Sequence, residues 1–390
     1  MKIRAAVLDS IGTPGPYAES RPLRIEELEL DPPGTGELLV RIMAAGICHS
    51  DLSVIDGSRP RPVPIALGHE AAGIVEEVGD AVDDVQAGDH VVLTFVPSCG
   101  TCGECSSGRP ALCGVAAQAN AEGCLLGGAR RLRRDGNQIH HHLGVSAFAN
   151  YAVVSRRSVV VVAPDIPFET AALFGCAVLT GVGAVIETAG VPTGESAAIF
   201  GLGGVGLAAV MGAVVVGAHP VIGVDPIAER RTLARQLGAD AVFAPDEALE
   251  GTRDLTGGGA RYTFETAGKP AAFEAAYRSG ARGGTTVAVG LPDPGATVAL
   301  STASLVGDGR TIVGSYMGST APQRDVPRLL GLWAAGKLPV ERLQSGSLRL
   351  ADVNEGMDAL ASGHAVRQLI TADDAPTPHE PLRAEWRKTA

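Results

Sequence analysis

Gly201, Gly203 and Gly206 form the turn G-L-G-G-V-G between the apolar run SAAIF and a long apolar segment ending VMGAVVVG. Such a turn is a weak signal by itself in a chain with 51 glycines. Its place after a strand pattern and at the head of a helix pattern is what constrains the fold. The first glycine permits the tight turn, the second lets the backbone approach a pyrophosphate, and the third lets helix and strand pack closely. Gly204 and Val205 open the helix, whose free N–H groups and partial positive charge suit a phosphate. The next strand, PVIGVD, ends at Asp225, nineteen residues after Gly206. A carboxylate there bonds both ribose hydroxyls of an adenosine and repels a 2′-phosphate, which favours NAD over NADP. Arg230 nearby keeps NADP open.

From near residue 176 strand and helix patterns alternate: SAAIFG, GGVGLAAVMGAVVVG, PVIGVD, IAERRTLARQLGA, DAVF, RYTFETAG, PAAFEAAYRSGA, GTTVAVG. Alternation of this kind predicts a doubly wound parallel sheet. Residues 1 to about 95 read differently, as short strands such as ELLVRIMAAG and AAGIVEEVG broken by Gly and Pro. They predict an antiparallel, barrel-like domain. Two helical segments, RDVPRLLGLWAAGKL and ADVNEGMDALASG, and a strand, AVRQLITA, follow near the end. The expected fold class is α/β, with a barrel-like domain over 1–177 and 321–390 and a Rossmann domain over 178–320. Residues 114–148 read as irregular, with ARRLRR as a solvated face, and Asp373–Ala390 as a loosely packed tail.

Four thiols, Cys99, Cys102, Cys105 and Cys113, have the spacing C-x2-C-x2-C-x7-C in a lobe over 97–114. They can close a tetrahedron on a soft divalent metal, zinc first of all. Four thiolates leave no position for a substrate, so this metal shapes a lobe and does no chemistry. The chain has seven cysteines, an odd number, and MKIRAAVLDS reads as a strand with no export signal. Disulfides are therefore a poor account of them. Cys48, His69 and Cys176 are further candidate ligands, separated by 21 and 107 residues. Two thiolates and an imidazole make a three-ligand site with an open fourth position, as a catalytic zinc has. Cys124 is left as a plain core or loop thiol. A net charge of −11 argues against nucleic acid or an anionic membrane as partner. Thr170–Ile186 and Ser196–Val224 lack charged residues, and the second is long enough to span a bilayer. Its glycines, His219-Pro220 and the phosphate turn inside it predict a buried strand and helix instead.

GICHSDL, LGHEAAGIVEEVG, the four-cysteine lobe, GLGGVG and GVD occur in that order, and the likeness spans about residues 1–372. With them the chain resembles a zinc-dependent alcohol dehydrogenase of the medium-chain dehydrogenase/reductase superfamily, with a GroES-like catalytic domain. The resemblance implies that Cys48, His69 and Cys176 hold a catalytic zinc, that Glu70 lies near it, and that Asp51 bonds the other ring nitrogen of His69. It implies that Ser50 relays the alcohol proton, that His49 and Arg367 reach the pyrophosphate, and that Thr180 and the backbone near Val289 and Leu291 border the nicotinamide. The implied reaction is oxidation of a primary alcohol, aromatic or medium-chain, to an aldehyde, or the reverse. The implied cofactors are NAD and two zinc ions per subunit.

Two positions depart from the pattern. Many members place a histidine three residues after the relay residue. Ser53 stands there, which leaves the proton's exit open between water and the cofactor ribose with His49. In the glutathione-dependent formaldehyde dehydrogenase branch an arginine four residues after the last lobe cysteine reads a carboxylate. Ala117 stands there, against an S-hydroxymethyl-thiol substrate. A zinc-free enoyl or quinone reductase would lack both cysteine sets. A polyol dehydrogenase commonly has glutamate in place of Cys176, and a non-catalytic NAD-binding protein would have lost a ligand. The resemblance also implies a cytoplasmic homodimer, or a homotetramer, with VALSTASL and RTIVGSY pairing as strands across a two-fold axis. His140–His142 is expected as a loop-to-strand edge and His364 as a surface residue. Arg59 and Arg61 are expected to be solvated, with contact to an acidic substrate as the less favoured reading.

Overall fold

The apolar run ELLVRIMAAGI forms one strand, Glu37–Ile47, in which every residue but Arg41 is buried. In this computed structural model, which describes residues 1–372, that strand is the spine of the first of two units. The first unit comprises Met1–Cys176 and the chain from Ala321 on, and the second comprises Ala177–Thr320. The tail from Asp373 lies outside the described residues.

In the first unit, Lys2–Leu8, Leu23–Leu30, Leu132–Arg134, Asn137–His141 and Ile65–Ala66 close a small barrel. A seven-stranded sheet runs Val159–Val162, His90–Leu93, Ala71–Val78, Glu37–Ile47, Arg367–Thr371, Gln344–Leu348, and Tyr151–Ser155 also pairs with Glu37–Ile47. Pairing is antiparallel except between Ile65–Ala66 and Asn137–His141 and between Gln344–Leu348 and Arg367–Thr371. Leu38, Val40, Ile42 and Ile47 share one core with Val54, Ile55, Phe148 and Met357. Each such large side chain contributes about 1.5–3 kcal/mol by leaving water.

The basic run is not a solvated face. Leu132–Arg134 is a barrel strand with Leu132 inward, and the arginines around it are half-buried in ion pairs. Arg131 meets Glu37 at 2.7 Å, Arg133 meets Asp31 at 3.0 Å, and Arg134 bridges Asp9 and Glu26 at 2.7 and 2.9 Å. Acids on the neighbouring strand and loops turn what reads as surface charge into a seam. Nor is 114–148 irregular throughout, since it also holds the helix Gly114–Glu122 and the strand Asn137–His141.

In the second unit six parallel strands lie in the order Ala241–Phe243, Val221–Val224, Ala197–Phe200, Ala260–Glu265, Gly280–Ala288, Thr311–Gly314. Numbered along the chain this is 3-2-1-4-5-6, the doubly wound Rossmann order. The uncharged run Ser196–Val224 becomes the buried strand Ala197–Phe200, the helix Gly204–Val215 and the buried strand Val221–Val224. No single helix among the described residues is long and apolar enough to cross a membrane.

VALSTASL is not a strand. Ser301 Oγ accepts a hydrogen bond from Ser304 N and starts the helix Thr302–Gly307, while Thr311–Gly314, within RTIVGSY, is the edge strand of the sheet. The N-cap overrides the β-branched alternation that precedes it.

Candidate active site

Where the spine strand ends, Cys48 caps the helix His49–Ile55. Asp51, in the first turn, accepts Cys48 N–H on Oδ2 at 3.1 Å, which turns its carboxylate inward to 0% exposure. Asp51 Oδ1 meets His69 Nδ1 at 3.0 Å and accepts Gly68 N–H at 3.3 Å. That bond fixes a tautomer with the proton on Nδ1 and the lone pair on Nε2. His69 Nε2 is buried and makes no hydrogen bond. Donor atoms of Cys48, His69, Glu70 and Cys176 all lie within 4.8 Å of one another, and all four residues are buried. Both carboxylate oxygens of Glu70 also lack a hydrogen bond, though Arg367 Nη1 approaches to 3.5 Å.

Burial pushes Glu70 up to about 7 against the pull of Arg367. The two thiols split: contact with Cys176 holds Cys48 well below the usual thiol range, and the same contact raises Cys176. Burial opposes the charge on Asp51, but His69 and His142 outweigh it and hold the carboxyl below its ordinary range. Anionic donors gathered out of water are costly without a cation. Two thiolates and an imidazole nitrogen with no other partner are zinc's preferred donors, so the residues fit that ion.

Ser50 is half-buried and His49 exposed on the same helix. Ser53 is bonded back to its own helix, donating to Ser50 O at 3.0 Å. Arg367 is 3% exposed and donates to Ile47 O at 2.9 Å, so the structure seats it beside Glu70. Arg61 is half-buried and donates to Asn120 O at 3.3 Å. Cys124 is a buried thiol donating to Ala119 O, and His364 is exposed.

The three consecutive histidines do straddle a strand end: His140 and His141 close the strand Asn137–His141, paired with Ile65 and Ala66, and His142 is the first residue beyond it. His140 Nδ1 lies 3.0 Å from Pro64 O. His141 is buried and accepts Arg131 N–H on Nε2. His142, 1% exposed, brings Nδ1 to 3.2 Å from Asp51 Oδ1, with its ring edge-on to His69 at 5.5 Å. Burial holds His142 below the ordinary imidazole range. Nothing in the spacing of the triplet singles out His142, because its partner is 91 residues away.

In the cysteine lobe all four thiols are free. Cys99 and Cys105 sulfurs are 4.0 Å apart, and those of Cys102 and Cys113 3.8 Å. A tetrahedron of thiolates at about 2.3 Å from zinc has edges of about 3.8 Å, so the lobe fits that ion too. Backbone N–H groups of Cys99 and Ala116 point at Cys113 Sγ, and that of Cys102 at Cys99 Sγ.

In the second unit, Gly201 has φ +99, and a Cβ on Gly206 would run into the Gly201 carbonyl oxygen. Asp225 is 3% exposed at the end of its strand. Its two oxygens accept Leu202 N–H at 2.7 Å and Ile227 N–H at 2.8 Å, which clips the glycine turn to the next loop. Arg230 Nη1 lies 4.0 Å from Asp225 Oδ2. Glu265 and Thr266 were not singled out in the sequence. Glu265 Oε1 accepts N–H bonds from Ala267 and Gly268, both at 2.7 Å, and Thr266 Oγ1 donates to Gly201 O. The motif FETAG, an acid closing a strand before a small-residue turn, is the signal that could have found them. Val289 is buried and donates its N–H to Glu265 O, whereas Leu291 is 49% exposed. Thr180 is buried, and its hydroxyl makes no hydrogen bond.

Family models match both units: "Alcohol dehydrogenase GroES-like domain" over residues 34–165 and "Zinc-binding dehydrogenase" over residues 204–335. The chain is 40% identical over 376 residues to the NDMA-dependent alcohol dehydrogenase of Amycolatopsis methanolica, covering 95% of this chain and 99% of that one. It is 38% identical over 379 residues to the geraniol dehydrogenase of Castellaniella defragrans, covering 94% and 97%. The crystal structure of benzyl alcohol dehydrogenase from Acinetobacter calcoaceticus superposes with a TM-score of 0.88 at 32% identity, covering 95% of this chain and 99% of that one. By sequence, fold and the donors gathered around His69, the chain belongs to the zinc-dependent alcohol dehydrogenases of the medium-chain dehydrogenase/reductase superfamily.

Proposed function

We propose that this alcohol dehydrogenase interconverts primary alcohols bearing an aromatic or medium-length apolar group with their aldehydes, using NAD and two zinc ions per chain. One zinc belongs to Cys48, His69 and Cys176, and the other to Cys99, Cys102, Cys105 and Cys113. The observation that carries this reading is His69 Nε2, buried without a partner beside two thiols while Asp51 holds Nδ1. Relatives named for geraniol and benzyl alcohol support the substrate class. The exposed Ala117 offers no cation for an S-hydroxymethyl-thiol carboxylate.

Zinc held by Cys48, His69 and Cys176 would supply Lewis acidity toward the alcohol oxygen, and bound NAD would supply the hydride chemistry. The chain's own residues do the rest. Asp51 keeps the His69 tautomer, and Ser50 takes the alcohol proton on its hydroxyl. Since Ser53 offers no ring, His49 and water are left to carry that proton onward. Phe95, edge-on to His69 at 5.7 Å, helps keep the metal side dry. Glu70 and Arg367 lie buried side by side next to the ligands, with Arg367 and His49 assigned to the pyrophosphate. The turn at Gly201, Gly203, Gly204, Val205 and Gly206 cradles that pyrophosphate. Thr180, Val289 and Leu291 border the nicotinamide.

Each Asp225 oxygen uses one lone pair on the backbone and keeps another for a ribose hydroxyl. Asp225→Ser is therefore expected to raise the KM for NAD about tenfold and to erode the preference for NAD over NADP by about tenfold to a hundredfold. Kinetics with both nicotinamides would show it. An unchanged preference would remove Asp225 from the cofactor site.

Assembly is proposed as a cytoplasmic homodimer, with a homotetramer as the alternative. The edge strand Thr311–Gly314 with exposed Ile312, and Val306 at 80% exposure, supports pairing at this sheet edge. The substrate assignment is tested by NAD reduction over a panel of alcohols. Turnover of benzyl and medium-chain primary alcohols is expected. Turnover confined to polyols, or to thiol adducts of formaldehyde, would overturn it.

A further inference from the structure

We propose that His142 is a second positioning residue of the metal-binding histidine, bracing the Asp51 carboxylate so that His69 Nε2 stays aimed at the thiols of Cys48 and Cys176. The inference rests on the assignment of Cys48, His69 and Cys176 as metal ligands.

Asp51 is fully buried, so protein donors alone must satisfy its carboxylate. Oδ2 takes Cys48 N–H, and Oδ1 takes Gly68 N–H and His69 Nδ1. His142 Nδ1 lies 3.2 Å from Oδ1 without an aligned hydrogen bond, and it makes no hydrogen bond elsewhere. These contacts come from three separate stretches of chain. At 3.2 Å against 3.0 Å, His142 is the more distant of the two rings, and it acts on Asp51 rather than on the ligand atoms themselves.

The backbone around His142 is built to hold it there. Leu143, Gly144 and Ser146 adopt φ of 52, 68 and 52. For the two non-glycine residues this left-handed geometry is strained. Val145 N–H and Ser146 N–H both donate to His142 O, and His142 N–H donates to Ser146 Oγ. The ring is thus pinned at the end of a closed turn, directly against Asp51. A separate metal ion on Asp51, His69 and His142 is a poorer reading of the same cluster. Asp51 already accepts two backbone N–H bonds, and a cation there would need the nitrogen by which His69 is oriented.

Three substitutions separate positioning from packing. His142→Asn keeps an N–H donor near the place of Nδ1, His142→Gln moves it toward the place of Nε2, and His142→Phe keeps a ring and removes it. The readout is the rate at which full-length protein gives up zinc to a chelator, with the four-cysteine lobe as an internal control. A second readout is the visible spectrum after cobalt substitution. The Gln and Phe variants are expected to release the Cys48-site metal about tenfold to a hundredfold faster, with the lobe phase unchanged. The Asn variant should stay within about threefold of the parent. Their kcat should fall in the same order, with the KM for NAD unmoved. If Phe and Gln variants release metal at the parent's rate, or Asn and Gln behave alike, the positioning role is overturned. The Asn–Gln pair decides the matter even if the Phe variant does not fold. A parent that holds metal only in the lobe would instead sink the ligand assignment, and this inference with it.

Discussion

Cys176→Ala is expected to remove about one of two zinc ions per chain and to lower kcat/KM for alcohol oxidation at least about a thousandfold. Cys176 is buried at the end of the Leu173–Gly175 turn, and its sulfur is one of the four donors within 4.8 Å of one another. Without it, Cys48 and His69 keep only Glu70 as a neighbouring donor. The metal's stabilisation of developing charge on the alcohol oxygen is worth several kcal/mol, and about 4 kcal/mol corresponds to a thousandfold in rate. Losing one small thiol from a core leaves a minor cavity, so the fold should survive. Metal analysis and steady-state kinetics on the same preparation check both halves. A variant that keeps both metal and rate would exclude Cys176 from the site.

Cys113→Ser should act on stability instead. Cys113 is 1% exposed and does two jobs: its sulfur belongs to the lobe's four-thiol set, and it caps the helix Gly114–Glu122 by accepting Ala116 N–H. A structural zinc contributes about 10–16 kcal/mol in isolated peptides. Only part of that reaches the whole protein, because the lobe can open locally. For a chain of 390 residues, a loss of about 4 kcal/mol would lower Tm by about 5 °C. Scanning calorimetry at a fixed rate and limited proteolysis across residues 99–113 would report it. Unchanged zinc and Tm would exclude Cys113 from the lobe's metal set.

Period and punctuation carried much of this fold. The glycine turn, the alternation after residue 176 and Asp225 at a strand end are local patterns, and the sheet order 3-2-1-4-5-6 follows from them by connection rules. Local competition explains where the reading failed. In VALSTASL the alternation suggests a strand, but one hydroxyl, Ser301 Oγ, starts a helix. In ARRLRR the charges suggest solvent, but Glu37, Asp31, Asp9 and Glu26 come to them from distant segments. The site shows the same divide. GICHSD and GHE are short motifs that can be read directly, and Cys176 joins them only through likeness to a family. The seat of Arg367 beside Glu70, and of His142 against Asp51, depends on contacts across 297 and 91 residues, for which no local pattern exists.

A catalytic zinc on Cys48, His69 and Cys176, distinct from that of the lobe, is tested by zinc per chain in the purified protein, measured beside NAD reduction with benzyl alcohol. The account predicts about two zinc ions per chain and turnover that is lost with the more labile one. One zinc per chain, retained by the lobe cysteines, with turnover intact would contradict it.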